Sequence, residues 1–293
     1  MMERSMAKAD VLIEALPYIQ RFRNSIVVIK FGGSAMEEPR AYDGILTDVA
    51  FMECVGMRPV IVHGGGSAVS REMAKAGLKA QFIGGLRVTG QDTIDIVERV
   101  LSSEVSPGIV RTLQSKGSEA KAVPGPDVIS AHQHHPWSED GTERLDLGLV
   151  GEIEHVETGP ILDVMAQGAI PVLSPLGSDK EGQRYNINAD IAAAEVAIAL
   201  KARKLVFLSD VHGVRGNTND SDSFLSTLSV REVEGLIRER AIVGGMLPKV
   251  NSAVRAIRSG LKKVHIIDGR MPHSLLLEIF TNQGIGTEIV LGD

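Results

Sequence analysis

Two lysines stand beside glycine pairs. Lys30 ends the apolar run "IVVIK" and is followed by Phe31, Gly32 and Gly33, while Lys249 follows Gly244, Gly245 and Pro248 in "GGMLPK". A lysine in an apolar setting needs an anionic partner. One in the first turn of a helix opposes the macrodipole unless an anion lies between them. Glycine turns offer backbone N–H groups to an anion at close range because no Cβ intervenes, so both pairs read as phosphate cradles. A third turn, in "VIVHGGGSAVS", carries Gly64, Gly65 and Gly66 between an apolar β-branched run and a stretch at helical spacing. It lacks the lysine of a phosphate-binding P-loop, so any ligand there meets backbone alone. Strand-to-helix turns use glycine routinely, and these three take their meaning from their charged neighbours. Asp190, in "NINAD", reads equally as a helix cap and as a catalytic carboxylate. Arg87, in "GGLRVT", suits either a surface cation or bidentate capture of a carboxylate. His63 reads as structural, bonding within its turn. His132, His134 and His135 in "HQHHP" lack the companion cysteines or carboxylate spacing of a metal site, so no protein metal ligand is expected.

Positioning such groups takes strands that end together. The runs "IVVIKF", "PVIVH", "AIPVLSP", "KLVFLSD" and "KVHIID" are near-continuous rather than alternating, the mark of strands covered on both faces. Helical spacing fills the intervals: Ile45, Leu46, Val49 and Met52; Ile94, Val97 and Leu101; Val233, Leu236 and Ile237. "SVRE" from Ser229 reads as a capping box, and Pro248 and Gly260 bracket a further helix. The fold class is therefore α/β, a three-layer sandwich with a mainly parallel central sheet. Residues 117–148 are polar and turn-rich, and "GLVGEIEHV" after them alternates, which reads as a hairpin insertion. "SPLGSDKEGQRYN" reads as a hinge, placing a boundary near Gly182 between halves 1–182 and 183–293.

The bulk composition narrows the partners. The 293 residues are 43% hydrophobic and carry a net charge of −6, enough for a full core and without a basic field for nucleic acid or anionic lipid. No apolar run reaches the length of a membrane helix, and "MMERSMAKAD" lacks the core of a secretory signal. A cytoplasmic protein with small-molecule ligands is expected. The single Cys54 reads as a packing residue on a buried helix face.

Six segments in order, "VVIKFGGSAM", "VIVHGGGSAVS", "GLRVT", "YNINADIAAAEVA", "LSDVHGV" and "GGMLPKV", resemble the amino acid kinase family, and within it the branch that phosphorylates N-acetyl-L-glutamate in arginine biosynthesis. The resemblance runs from about Ala15 to Val290. It implies the amino acid kinase fold, an acyl-substrate and dimerisation half over 1–182, and a nucleotide half over 183–293. It implies ATP and Mg²⁺ as cofactors, Lys30 and Lys249 at the transition state, and Asp190 orienting both. By the same resemblance Gly65 and Gly66 offer N–H groups to the carboxylate and the moving phosphoryl, and Arg87 and Asn186 hold the acyl substrate. Gly32, Gly33, Ser209 and Asp210 lie near the nucleotide.

The segment "ADVLIEALPYIQRF" places Val11, Leu12, Ala15, Ile19 and Phe22 near one helical face, which docks on its own subunit or on another. It resembles the arginine-inhibited members, implying a homo-oligomer, hexamer or dimer. The C-terminal "HIIDGRMPHSLLLEIFTNQGIGT" likewise implies His265, Glu278 and Gly284 as arginine contacts, together with Tyr18 and Lys204. Two segments depart from the family: "SSEVSPGIVRTL", with a Pro-Gly at a helix start, and "AKAVPGPDVIS". They leave open a kinase of a related amino acid or carbamate carboxylate. A non-catalytic amino-acid sensor on the same fold is the other alternative.

Overall fold

The computed structural model describes residues 13–138, 141–216, 223–281 and 284–292. An eight-stranded sheet runs through it in the order Thr227–Ser229, Thr287–Val290, Val264–Asp268, Lys204–Ser209, Ile26–Phe31, Arg58–His63, Ile170–Leu173 and Ala120–Val123. The last six of these are mutually parallel, and the first two run the other way at one edge. Each apolar run expected as a covered strand is one. The short "AKAV" at the far edge, which carries two exposed residues, lies inside the stretch read as an insertion.

Side chains alternate across a strand, and that alternation sorts the core. Val27, Ile29 and Phe31 face a layer built on helices Pro39–Cys54, Ser106–Ser115 and Ser274–Phe280. Val28, with Leu205, Phe207 and Ile266 of the neighbouring strands, faces a layer built on Ala189–Ala199, Val230–Arg238 and Met246–Arg258. Lys30 shares the parity of Val28. It therefore projects from the sheet toward the helix that begins with Ala189 and Asp190.

The predicted helical faces turn inward: Ile45, Leu46, Val49 and Met52 are at most 2% exposed, Ile94, Val97, Leu101 and Val233 are buried, and Leu236 and Ile237 are half-buried. Cys54 does not turn inward; it is exposed at the last residue of its helix. Two positions past Met52 the helix has turned about 200°, which carries Cys54 to the opposite side. The capping box is present, with Ser229 Oγ accepting from the Glu232 N–H and the Glu232 carboxylate accepting from the Ser229 N–H.

A second sheet of four strands packs beside the first, in the order Arg184–Asn186, Leu176–Ser178, Ile129–Gln133, Gly151–Val156. The last two pair antiparallel, which is the expected hairpin. The stretch read as a hinge is itself a hairpin: Leu176–Ser178 pairs antiparallel with Arg184–Asn186, and Gly182 turns the chain at φ +86°. A small two-stranded ribbon, Phe82–Ile83 with Leu86–Arg87, stands over the carboxyl end of the main sheet. The N-terminal helix spans residues 13–22 among those described, and Val11 and Leu12 lie outside the described residues. Phe22 is buried and Tyr18 packs on the core, whereas Ile13 and Leu16 are 68% and 44% exposed. Among the described residues no helix is long and apolar enough to cross a membrane.

Candidate active site

Lys30, Asp190 and Lys249 meet. Lys30 Nζ lies 3.1 Å from Asp190 Oδ1, and Lys249 Nζ donates to Oδ1 at 3.0 Å and Oδ2 at 3.1 Å. All three side chains are buried. The strand supplies Lys30 and the first turns of two helices supply the others, so three separate elements end at one point. Asp190 is not the cap of its helix. Asn188 is, its side chain accepting from the N–H groups of Asp190 and Ile191, which frees the aspartate for the lysines. Burial pushes the Asp190 carboxyl up, and the charges of Lys30 and Lys249 outweigh it, holding the group below the usual carboxylate range. The Lys249 ammonium is pulled down by burial first and then by the charge of Lys30. Within the triad two cations share one anion, with Asp210 a more distant negative charge acting on Lys249, and Lys30 and Asp190 face a cavity.

That cavity has a volume of about 700 Å³, and Lys30, Gly33, Gly64, Gly65, Gly66, Arg87, Asn186 and Asp190 all line it. The glycine turns crowd one another. A Cβ on Gly32 would lie 3.0 Å from Lys30 Nζ, and a Cβ on Gly64 would lie 3.4 Å from Gly32 Cα. A side chain at 32 would thus crowd the ammonium where it meets the carboxylate. Gly33 takes φ +71°, a conformation that favours glycine. A Cβ on Gly65 would fall 2.4 Å from Leu101 Cδ2.

Arg87 is buried rather than a surface cation. Its Nη2 donates to Gly66 O at 2.8 Å and Ser70 Oγ at 2.9 Å, and the guanidinium stacks 4.6 Å from the centre of the Phe82 ring. Burial lowers its pKa from the ordinary arginine value. Asn186 Nδ2 donates to Thr89 Oγ1, whose hydroxyl donates to Arg87 O, tying the two predicted substrate anchors into one network. Ser209 and Asp210 sit at the carboxyl end of the neighbouring strand, two and three residues past Phe207, over whose ring Lys249 Nζ lies at 5.4 Å. They do not line the cavity itself.

His63 is fully buried. Its Nδ1 donates to Gly64 O at 2.7 Å, Nε2 lies 2.6 Å from Ser106 Oγ, and burial lowers its pKa to about 4. His132 and His134 pair with Glu152 and Glu154 on an exposed sheet face, and no cluster able to hold a metal ion occurs among the described residues. Sequence reasoning did not find Asn188, Phe82 or Tyr42, which line the cavity, or Ser106, which bonds His63. The signal for Asn188 was present, two residues before Asp190. Ser106 reads as an ordinary helix-start serine.

The five residues expected as an effector region also largely assemble, at the amino end of the strands. His265 Nδ1 lies 2.6 Å from Glu278 Oε1, and the Ile285 N–H donates to Glu278 Oε2. A Cβ on Gly284 would lie 3.1 Å from that carboxylate. The Lys204 side chain is buried 5.3 Å from the Phe22 ring and feels the charge of Glu278. Burial lowers the pKa of His265, with the contact to Glu278 opposing it. Tyr18 lies on the helix that ends at Phe22, packed on the same core.

Comparison with known proteins agrees with this architecture. The chain is 46% identical to an acetylglutamate kinase of Moorella thermoacetica over 98% of each chain. It is 47% identical to an acetylglutamate kinase of Carboxydothermus hydrogenoformans over 98% of this chain and 99% of the other. Among solved structures, an N-acetylglutamate synthase from Neisseria gonorrhoeae complexed with coenzyme A and N-acetyl-glutamate matches with a TM-score of 0.84 at 26% identity; the match covers 97% of this chain and 64% of that one. A Giardia carbamate kinase shares the fold alone, with a TM-score of 0.66 at 16% identity over 91% of this chain and 99% of the other. Residues 25–268 match the model of the amino acid kinase family, and the chain belongs to it.

Proposed function

We propose that the protein transfers the γ-phosphoryl group of ATP to the side-chain carboxylate of N-acetyl-L-glutamate, giving N-acetyl-L-glutamyl 5-phosphate and ADP in arginine biosynthesis. The observation that carries this reading is the Lys30–Asp190–Lys249 triad opening on a glycine-lined cavity, in a chain close to two acetylglutamate kinases over nearly its whole length. The nucleophile is a carboxylate with a pKa near ~4, already ionised at neutral pH. No general base is needed, which fits a site whose one histidine has both nitrogens occupied. The chemistry is then positioning and charge neutralisation between two anions.

Lys30 and Lys249 neutralise the transferring phosphoryl from two sides, and Asp190 keeps their ammonium groups from driving each other apart. The N–H groups of Gly65 and Gly66 face the acyl carboxylate and the moving group. Arg87 and Asn186 fix the rest of the acyl substrate. Gly32, Gly33, Ser209 and Asp210 approach the nucleotide. Mg²⁺, when bound with ATP, supplies further charge neutralisation on the phosphates, and the surplus positive charge of the triad fits a phosphate ligand. In this reading residues 1–182 provide the acyl-substrate and dimerisation half and 183–293 the nucleotide half. Incubating the protein with Mg-ATP, hydroxylamine and a panel of acids tests it, because hydroxylamine traps an acyl phosphate as a coloured hydroxamate. Signal is expected with N-acetylglutamate and absent with aspartate, glutamate and carbamate; no signal with N-acetylglutamate overturns the assignment.

Arginine inhibition is supported by the buried Lys204, His265, Glu278 and Gly284 cluster, whose carboxylate suits a guanidinium. Millimolar arginine should raise the N-acetylglutamate concentration needed for half-maximal rate, and Glu278→Gln should abolish that shift. Saturation curves unchanged by arginine in the wild type remove the proposal. A homo-oligomer, hexamer or dimer, is supported by the exposed Ile13 and Leu16 on the N-terminal helix. Removing Met1 to Arg23 should reduce the assembly seen by light scattering.

A further inference from the structure

The buried contacts around His63 form a chain that ends at a cavity-lining peptide. The Gly64 N–H donates to Phe31 O at 2.6 Å, so that residue is pinned to the end of the adjacent strand. Gly64 O accepts from His63 Nδ1 at 2.7 Å. A carbonyl oxygen cannot donate, so Nδ1 carries the proton, and in a neutral imidazole Nε2 is then an acceptor. Ser106 Oγ, 2.6 Å away, is the group that donates to it.

Peptide planarity converts this chain into an orientation. The Gly64–Gly65 bond is trans, so its C=O and N–H point in opposite directions. Holding Gly64 O toward the buried imidazole holds the Gly65 N–H away from it, on the side where Gly65 lines the cavity. Among the described residues the Gly65 N–H makes no hydrogen bond of its own. The pin on the other side is the wide turn Leu101–Val105, which sets Leu101 against Gly65 and delivers Ser106 to His63.

We infer that His63 and Ser106 are positioning residues for phosphoryl transfer, acting together to aim the Gly65 N–H at the reacting group. The inference rests on the kinase reading of the cavity. The ring exchanges no proton with substrate: one nitrogen is committed to Gly64, the other to Ser106, and the side chain is inaccessible to solvent.

Side-chain isosteres separate this from a packing role. The amide nitrogen of asparagine falls near the position of Nδ1, and that of glutamine near Nε2. In the full-length protein His63→Leu is expected to lower kcat by about 10²-fold, the scale of one lost transition-state donor, with KM for ATP and N-acetylglutamate little changed. His63→Asn recovers most of that loss and His63→Gln does not. Ser106→Ala, the mildest change, lowers kcat by up to about 10-fold, as one neutral hydrogen bond allows. Equal kcat in the Asn and Gln variants, or wild-type kcat in Ser106→Ala and His63→Leu below their melting temperatures, overturns the inference. A second readout does not depend on turnover: the ¹⁵N spectrum of His63 at pH 7 should show the Nδ1–H tautomer and shift at Nε2 in Ser106→Ala. The Nε2–H tautomer in the wild type would exclude the relay even if the protein phosphorylated nothing, whereas failure to form hydroxamate with the correct tautomer present would refute the kinase reading alone.

Discussion

Lys30 and Lys249 bring two positive charges to one bonded carboxylate, Asp190, with Asp210 a more distant negative charge beside Lys249, and each substitution there follows from that arrangement. Replacing either lysine with alanine leaves the remaining lysine and Asp190 a matched pair, so the fold should tolerate it. Catalysis should not. Loss of one donor of this kind is typically worth ~3 kcal/mol in the transition state, and Lys30→Ala or Lys249→Ala is expected to lower kcat by about 10²-fold or more. Wild-type turnover in either purified variant would remove that lysine from the mechanism. Asp190→Asn is the opposite case, because two buried ammonium groups lose their counter-charge. Breaking a buried pair in this way costs about 3–5 kcal/mol, and the melting temperature should fall accordingly and recover in part with ATP. These residues were legible in the sequence because a lysine at the end of a β-branched run is anomalous without an anion. Ser106 was not, since nothing in "SPG" distinguishes a serine that serves a distant histidine from one at an ordinary helix start.

Elements place these side chains through small irregularities. The helix Gln91–Val100 widens into a π turn at Leu101–Val105 before continuing as Ser106–Ser115. Pro107 accounts for the widening: it has no N–H for the carbonyl four residues back, and its ring would crowd that carbonyl in a regular helix. The Pro-Gly thus lies at the irregularity that sets Leu101 against the glycine loop. Gly65 and Leu101 are in consequence interdependent. Gly65→Ala should cost about 1–3 kcal/mol from overpacking. Leu101→Ala alone should cost about 2–5 kcal/mol from the cavity it leaves. The double variant should be more stable than the sum of the two predicts, by about 1 kcal/mol or more, in urea denaturation. Strict additivity would show that the 2.4 Å approach is relieved elsewhere. The strands and most helices could be read from apolar periodicity, whereas the π turn could not. A proline inside helical spacing signals an interruption without saying whether the helix stops, kinks or widens.

Across the whole molecule the parallel sheet keeps two sites apart. The triad lies at the carboxyl end of the strands, while Lys204 opens the Lys204–Ser209 strand at the amino end, two residues before Val206, the register partner of His265. Chain direction, which the run-and-helix alternation already implied, therefore set which residues could meet. What the alternation could not give was the hairpin formed by Leu176–Ser178 and Arg184–Asn186, because three-residue strands are too short to show a period of two and their turn-rich surroundings read equally as a loop. Burial of titratable groups at both ends has a global consequence. His63 has a folded pKa of about 4 against 6.5 in the free side chain, so the unfolded chain binds the proton first as pH falls. The folded state is unaffected above about pH 7 and loses stability through the window from about 6.5 down to 4, reaching about 2 kcal/mol by pH 5. His265, whose pKa burial also lowers, acts in the same direction. The melting temperature should therefore drop between pH 7.5 and pH 5, and His63→Asn, which removes one of the two titrating rings while keeping the bond to Gly64, should show a shallower drop. An identical pH slope in the variant would mean that His63 takes up a proton in the folded protein, and with it that Nε2 does not accept from Ser106.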